Sequence, residues 1–310
     1  MDQKPKLVEI LGPTGTGKSA LALRLAEEFG GEIVSADSVQ VYRGLDIGSA
    51  KPSPEERRRV RHHLIDILDP DQNYSAAAFR LHAGEIIRRL HREGIPAFVV
   101  GGTGLYLKVL SRGLFQGPGE DPEYRSELRR KEEREGEGTL FRELLRKDPD
   151  AASRIHPRDL FRIIRALEVY HLARRPISQF QREHGFGENP YRVLKIGLCA
   201  QREELYRRVE ARVDEMMAKG WREEVRDLLG RGYSAGLKSM QSLGYRRLVL
   251  HLNGGMDLPA AVQRIKQDTR RFAKRQLTWF KPDPEIHWFP CFPEKYESIR
   301  HLVSDFFHHC

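Results

Sequence analysis

A glycine-rich segment near the amino terminus constrains the fold more than any other feature. It consists of Gly12, Pro13, Thr14, Gly15, Thr16, Gly17, Lys18 and Ser19, and it matches the G-x-x-x-x-G-K-[S/T] pattern of a phosphate-binding loop (P-loop). Apolar residues predict a strand at residues 7–11 and a helix over 19–29. In this setting backbone N–H groups bind phosphate, Lys18 adds a positive charge, and the Ser19 hydroxyl can ligate Mg²⁺.

The order of predicted strands and helices divides the chain into two parts. Strands are predicted at residues 32–35, 63–67, 95–100 and 193–198, and helices at 75–93 (with Ser75 as N-cap), 203–219, 222–231 and 259–280. Residues 121–182 contain only charged, amphipathic helical patterns. The predicted fold is therefore α/β, a P-loop core with a parallel sheet (residues 1–120 and 191–310) and an inserted all-helical domain (residues 121–190).

The composition bears on the cellular compartment. Apolar residues make up 39% of the chain, but no run of 18 predicts a membrane span, so no membrane partner is expected. The amino terminus leads directly into the first strand without a signal-peptide pattern. Cys199, Cys291 and Cys310 are odd in number and lack C-x-x-C spacing, which argues against a disulfide framework or a zinc site. These features predict a cytoplasmic protein, which we expect to be a monomer.

The net charge of +9 is unevenly distributed. Residues 151–195 contain nine basic and four acidic residues, and residues 262–281 contain seven and one. In the second segment Asp268 is the only acidic residue, so we expect the charge to be largely uncompensated. Concentrated positive charge is typical of a surface that binds a polyanion, although a solvated basic surface is the alternative.

Two polar residues follow predicted strands. Asp37 comes just after the strand at 32–35, and Thr103 follows the strand at 95–100. Because the carboxyl ends of parallel strands line the ligand crevice, both should lie near the P-loop. Asp37 can then bind Mg²⁺, cap a helix or accept a proton, and Thr103 can face the crevice or act as an N-cap.

Further segments follow the P-loop in a fixed order: Asp37-Ser38-Val39-Gln40-Val41-Tyr42-Arg43, Asp46-Ile47-Gly48-Ser49-Ala50-Lys51-Pro52, His62-His63-Leu64-Ile65-Asp66, Gly101-Gly102-Thr103-Gly104-Leu105-Tyr106, Arg162-Ile163-Ile164-Arg165-Ala166-Leu167-Glu168-Val169, Gly244-Tyr245-Arg246 and Lys274-Arg275-Gln276-Leu277-Thr278-Trp279-Phe280. Together they resemble the tRNA dimethylallyltransferase (tRNA isopentenyltransferase) family over nearly the whole chain. Ser49 departs from the threonine expected there. The sequence lacks the carboxy-terminal zinc finger of eukaryotic relatives, which favours the bacterial form.

The resemblance implies transfer of a dimethylallyl group from dimethylallyl diphosphate to the exocyclic amine of the adenosine 3′ of the tRNA anticodon. It implies that the P-loop, with Mg²⁺, binds the diphosphate, and that Asp37 is the general base. Thr103 would lie beside the bridging oxygen, Gln40 would hydrogen-bond the flipped base, and the inserted domain would grip the anticodon stem-loop. The tRNA-binding residues implied are Asp37, Ser38, Val39, Gln40, Thr103, Arg125, Arg162, Arg165, Gln241, Gly244, Tyr245, Arg246, Lys274, Arg275, Gln276 and Lys281.

Two other classes of protein share part of this pattern. A P-loop kinase would explain Gly12–Ser19 and the sheet, and residues 64–66 are the nearest candidate for a Mg²⁺-binding strand end, but the basic segments would remain unexplained. A non-catalytic RNA-binding protein would not need Lys18, Ser19 and Asp37. The sequence leaves open whether ATP also occupies the P-loop. Arg162 and Arg165 can alternatively belong to a solvated helix face.

Overall fold

The computed structural model describes residues 4–308. Its centre is a six-stranded sheet in the order β3-β2-β4-β1-β5-β6, and every pairing is parallel. The strands are β1 (Lys6–Leu11), β2 (Glu32–Ser35), β3 (His62–His63), β4 (Ala97–Gly101), β5 (Arg192–Cys199) and β6 (Ile286–Pro290). The prediction of an α/β fold with a parallel sheet is confirmed.

Helices surround this sheet and also form the insertion. They are α1 (Lys18–Phe29), α2 (Pro54–Arg59), α3 (Ala76–Arg92), α4 (Gly104–Arg112), α5 (Pro122–Glu135), α6 (Thr139–Lys147), α7 (Pro149–Ala152), α8 (Leu160–Ala173), α9 (Ile177–His184), α10 (Arg202–Ala218), α11 (Trp221–Gly230), α12 (Tyr245–Leu252), α13 (Leu258–Phe280) and α14 (Tyr296–His308). Ser75 caps α3 by accepting the N–H of Ala78, as predicted. No helix among residues 4–308 is long and apolar enough to cross a membrane.

The sheet core is built around β1, the strand that leads into the P-loop. Val8 and Ile10 are fully buried and belong to one apolar cluster with Leu21 and Leu25 of α1. Residues of α14 such as Ile299 complete this cluster. Because β1 lies between β4 and β5, its carboxyl end lies at the middle of the sheet edge, where ligands bind in this class of fold.

Two parts of the core differ from the prediction. The strand expected at residues 63–67 is only His62–His63, because Leu64 and Asp66 adopt positive φ angles of 62° and 56°, which extended strands do not have. The elements β6 and α14 were not predicted. Prolines lie close to β6 on both sides, and its alternation of apolar and polar residues is weak.

The residues that the structure describes form two compact units. One contains residues before and after the insertion, and the other is Arg112–Glu188, whereas the sequence pattern placed the insertion at 121–190. The helical unit starts earlier because Phe115 packs against its apolar cluster and stacks on Phe180, with ring centroids 6.0 Å apart. This unit contains helices α5–α9 and no strand within the described residues.

A buried carboxylate holds the helical unit together. Glu168 on α8 is fully buried, and it accepts hydrogen bonds from Arg125, Arg165 and the backbone N–H of Asp121. Burial opposes its charge, but these hydrogen bonds outweigh that effect and keep the pKa of Glu168 below its usual value. The cluster therefore fixes the start of α5 against α8.

Candidate active site at the carboxyl end of the sheet

The P-loop connects β1 to α1 in a conformation that requires glycine. Gly12 has a φ of 135°, and a Cβ atom there would lie 2.3 Å from the carbonyl oxygen of Leu198. Gly17 has a φ of 86° and lies against Phe292. The loop therefore curls over the end of β1, and the amino terminus of α1 lies beside the cradle, which is the arrangement that binds phosphate groups.

Internal hydrogen bonds hold the P-loop in place. The Thr16 hydroxyl donates to the Pro13 carbonyl at 2.9 Å. The Gln276 side chain accepts the N–H of Thr14 at 2.9 Å and donates to the Gly102 carbonyl at 2.9 Å. Gln276 was predicted to contact tRNA, and that role stays a prediction. Its side chain is buried, and both ends of its amide already bond the backbone, so it fixes the P-loop to the end of β4.

A cavity of about 530 Å³ lies beside the P-loop, within the sheet-containing unit. Lys18, Ser19, Asp37 and Thr103 all line it. The structure therefore brings together side chains from three strand ends, as their positions in the sequence predicted. Its apolar wall includes Val209, Val213, Met216, Leu243 and Phe272.

One oxygen of the Asp37 carboxylate is engaged and the other is not. Its Oδ1 accepts the backbone N–H of Val39 at 2.8 Å and that of Gln40 at 3.2 Å. Within the described residues, Oδ2 makes no hydrogen bond or ion pair. This turn orients the Asp37 carboxylate. It leaves Oδ2 available to accept a proton.

The Lys18 ammonium lies in an environment that disfavours its charge. Burial, and then the positive charge of Arg212, lower the pKa of Lys18 to about 7, although Asp37 opposes this shift. The ammonium donates to the Pro13 carbonyl at 2.7 Å. A bound polyanion would supply the missing negative charge.

Arg212 is a site residue that the sequence interpretation did not identify. It lies on α10, lines the cavity and is close enough to affect the charge of Lys18. Burial lowers its own pKa, and Asp37 opposes that effect. The signal was its spacing: Val209, Arg212, Val213 and Met216 follow helical periodicity, which places a basic residue on an otherwise apolar face.

Gln40 also differs from its expected role. Its Oε1 accepts the hydroxyl of Ser35 at 2.8 Å, and its Nε2 donates to the carbonyls of Ser49 and Ala50, both at 3.2 Å. The side-chain amide was predicted to hydrogen-bond a flipped base. It is instead occupied by the protein, although Gln40, like Ser38 and Val39, lines the cavity.

Two further residues predicted to bind tRNA, Tyr245 and Gly244, pack inside the protein. Tyr245 is fully buried and donates to Glu224 at 2.6 Å. Gly244 lies against Trp221, where a Cβ atom would be 2.0 Å from the indole ring. Both residues thus make structural contacts, and their assignment to tRNA stays a prediction. Gln241 and Arg246 are exposed.

The basic residues of the helical unit also divide into two groups. Arg125 and Arg165 use their guanidinium groups to bond Glu168, and Arg165 also bonds the carbonyls of Pro118 and Gly119. These contacts hold the fold, and the assignment of both residues to tRNA stays a prediction. Arg162 is exposed beside Asp159 and remains available.

The basic run on α13 has more counter-charges than its sequence suggests. Asp268 receives Arg246 and Arg247 from α12. Lys266 and Arg270 pair with Asp214 and Glu210 of α10. Asp268 is therefore not the only counter-charge, because acidic residues far away in sequence pack alongside. Within the described residues Lys274, Arg275 and Lys281 are exposed and form no ion pair.

The cavity offers two oxygen donors of the kind that Mg²⁺ prefers. The Ser19 hydroxyl and the Asp37 carboxylate are hard oxygen donors on the same cavity. No cluster of three His, Cys, Asp or Glu side chains occurs among residues 4–308. This set fits Mg²⁺, which typically uses one or two protein oxygens and completes its shell with water and phosphate.

Comparison with known proteins places the chain in a family. The family model described as IPP transferase matches residues 40–283, and that described as isopentenyl transferase matches residues 5–71. A tRNA dimethylallyltransferase of Geobacter metallireducens is 54% identical over 307 residues, covering 99% of each chain, and one of Geobacter sulfurreducens is 50% identical over 304 residues, covering 98% of this chain and 97% of the relative.

Solved structures agree with this result. The tRNA isopentenylpyrophosphate transferase of Bacillus halodurans matches with a TM-score of 0.73 at 38% identity, covering 98% of this chain and 97% of that chain. A eukaryotic dimethylallyltransferase acting on tRNA matches with a TM-score of 0.82 at 27% identity, covering 97% of this chain and 79% of that chain.

The fold and the cavity define a P-loop protein with a carboxylate beside its glycine-rich loop. The comparisons then give the assignment: the chain belongs to the tRNA dimethylallyltransferase family of prenyltransferases. The Mg²⁺-binding strand end that a P-loop kinase would need is not formed at residues 64–66, since Asp66 pairs with Lys51 and Arg57 instead.

Proposed function

We propose that the chain transfers a dimethylallyl group from dimethylallyl diphosphate to the exocyclic amine of the adenosine immediately 3′ of the anticodon in tRNA. Family membership shows the transfer of dimethylallyl groups to tRNA. The observation that carries the detailed proposal is the cavity, where two cationic side chains and one half-engaged carboxylate lie beside an apolar wall.

The diphosphate binds in the P-loop. Lys18, Arg212 and the backbone N–H groups at the start of α1 supply positive charge in a partly buried site. The apolar wall formed by Val209, Val213 and Phe272 accommodates the five-carbon chain. When the allylic C–O bond breaks, its electron pair goes to the diphosphate oxygen, and the two cations stabilise the charge that develops there.

The adenine amine replaces the diphosphate at the allylic carbon. Its lone pair is delocalised into the ring, so the amine is a poor nucleophile until it loses a proton. As the new C–N bond forms, Oδ2 of Asp37 accepts that proton, while the N–H groups of Val39 and Gln40 hold Oδ1. The Thr103 hydroxyl lines the same cavity and donates a hydrogen bond to the departing diphosphate.

Ser19 is the residue that would hold Mg²⁺, while Asp37 accepts the proton. When bound, this ion would neutralise negative charge on the diphosphate. The protein residues bind and orient both substrates and move the proton, as described above.

We assign the tRNA surface to two places, each within its own unit. The helical unit 112–188 grips the anticodon stem-loop, and its exposed Arg162 is available for phosphate contacts. In the other unit, Lys274, Arg275 and Lys281 are exposed without ion pairs among the described residues. We further propose that the enzyme is a monomer and lies in the cytoplasm.

The test uses the protein, Mg²⁺, labelled dimethylallyl diphosphate and total tRNA. Digestion of the tRNA should yield one labelled nucleoside, isopentenyladenosine, from the position 3′ of the anticodon. Asp37→Asn should yield roughly 10²–10⁴-fold less of it. Label in another nucleoside would refute the assigned acceptor, and consumption of ATP without labelled tRNA would instead support a kinase.

A further inference from the structure

Glu224 of α11 makes an unusual set of contacts outside the cavity. Its Oε2 accepts the backbone N–H groups of Asp46 and Ile47, at 2.9 and 2.6 Å. Its Oε1 accepts the N–H of Gly48 at 3.3 Å and the hydroxyl of Tyr245 at 2.6 Å. One carboxylate thus binds four donors, three of them consecutive backbone groups of the loop at residues 46–50.

Tight packing reinforces this contact. The indole of Trp221, one turn before Glu224, lies between Gly48 and Gly244, and a Cβ atom on either glycine would be 2.0 Å from it. Trp221 and Tyr245 are both buried. Burial and the negative charge of Glu224 raise the pKa of Tyr245 well above its usual value, so the phenol remains a donor at all pH values near neutrality.

The loop that Glu224 holds leads directly to Asp37. Gly48 and Ser49 line the cavity, and the carbonyls of Ser49 and Ala50 accept the side-chain amide of Gln40. The backbone N–H of Gln40 in turn donates to Oδ1 of Asp37. An unbroken series of contacts therefore runs from α11 through the loop to the carboxylate.

We propose that Glu224 is a positioning residue for prenyl transfer: through the loop at residues 46–50 and Gln40, it sets the orientation of the Asp37 carboxylate. Glu224 does not line the cavity, so it acts on the reaction through its neighbours. The inference rests on the proposed role of Asp37 as the proton acceptor. Neutral Gln is isosteric with Glu, but its amide nitrogen cannot accept the loop N–H groups, so Glu224→Gln should let the loop shift.

The expected signature is a fall in kcat without loss of substrate binding. A misplacement of about 1 Å at a reacting centre costs roughly 10²-fold in rate, so Glu224→Gln should lower kcat by roughly 10- to 100-fold. The dissociation constants for inorganic diphosphate and tRNA should stay within about twofold of wild type, because Lys18, Arg212 and the exposed cations are unchanged. Tyr245→Phe removes one donor of four and should cause a smaller fall.

The matched control is Glu223→Gln. Glu223 is the neighbouring residue on α11 and pairs with Arg222. Within the described residues it forms no hydrogen bond or ion pair with the loop at residues 46–50, so the kcat of Glu223→Gln should be unchanged. The double variant Asp37→Asn with Glu224→Gln should be no slower than Asp37→Asn alone, because the positioning effect acts through Asp37. A further loss in the double variant would overturn the inference.

Other outcomes also decide the question. Wild-type kcat in Glu224→Gln, or parallel losses of kcat and of diphosphate and tRNA binding, would refute a positioning role. If Glu224→Gln does not fold, unchanged kcat in Tyr245→Phe would refute it. A different result would refute the proposed function: normal transfer by the variant Asp37→Asn. Inactive Asp37→Asn with normal Glu224→Gln would reject only the role of Glu224.

Discussion

The titration of Lys18 makes the strongest prediction about substrate binding. In the free protein, burial and Arg212 lower the pKa of this ammonium to about 7. A bound diphosphate places negative charge beside it and raises the pKa again. Binding is therefore accompanied by proton uptake above pH 7, and the affinity for diphosphate must be highest below pH 7 and decrease as the pH rises.

The size of the effect follows from the charged fraction of Lys18. With a pKa of about 7, roughly one half of the free molecules carry the charge at pH 7 and about 1% do so at pH 9. The affinity for a ligand that requires the charge should then fall about 50-fold over this interval.

Neighbouring groups do not titrate in the same interval. Burial lowers the pKa of His62, which lines the cavity, below its usual value of about 6.5, and it raises the pKa of the Cys199 and Cys291 thiols above theirs of about 9. Calorimetric binding of inorganic diphosphate from pH 6.5 to 9 should show the decrease. Lys18→Ala should bind weakly with no pH dependence, and Lys274→Ala should retain the wild-type profile. A flat wild-type profile would refute the assignment of Lys18.

Three further predictions test other parts of the structure. In single-turnover assays Asp37→Asn should reduce the rate of transfer by roughly 10²–10⁴-fold, while the affinity for tRNA is retained. Near-normal turnover would contradict the role of Asp37 as general base. Glu168→Gln should destabilise the helical unit by about 2–3 kcal/mol in urea unfolding, less than for a fully buried pair because Arg125 and Arg165 are partly exposed. Because folding lowers the pKa of Glu168, the stability that this carboxylate contributes should be fully present above its unfolded pKa. That stability should be lost as the pH falls through the folded pKa. Lys274→Ala with Arg275→Ala should flatten the salt dependence of tRNA binding by up to about two contacts, at roughly 0.7–0.9 log units each, and parallel slopes would show that these residues are only solvated.

The elements and site residues that could be predicted are those that depend on local sequence. The P-loop requires glycines in left-handed conformations and a strand and helix on either side, and all of these are visible within residues 7–29. Asp37 and Thr103 could be placed because parallel strands end at one edge of the sheet. The helical insertion could be predicted because its sequence shows none of the apolar–polar alternation that strands have.

The features that could not be predicted depend on partners distant in the sequence. Arg212 acts with Lys18, and Glu224 binds a loop about 180 residues earlier. The family motifs marked Gln276 and Tyr245 as RNA contacts, but a motif does not show which way a side chain faces. The strand ends at His63 because Leu64 and Asp66 adopt positive φ angles. The apolar residues of this segment did not suggest such angles.

Helix α13 connects the sites proposed for the two substrates. Thr269, Phe272 and Gln276 lie on its inner face and line the cavity, while Lys274 and Arg275 are exposed to solvent. An α-helix is about 10 Å across, so a polyanion bound to the outer residues would lie about one helix diameter from the phosphate cradle. The two sets of cations bind different anions, and a different solution condition weakens the binding of each anion. Solvated charges on the outer face are screened by salt, whereas the partly buried Lys18 responds to pH. Salt should therefore weaken tRNA binding most, and alkaline pH should weaken diphosphate binding most.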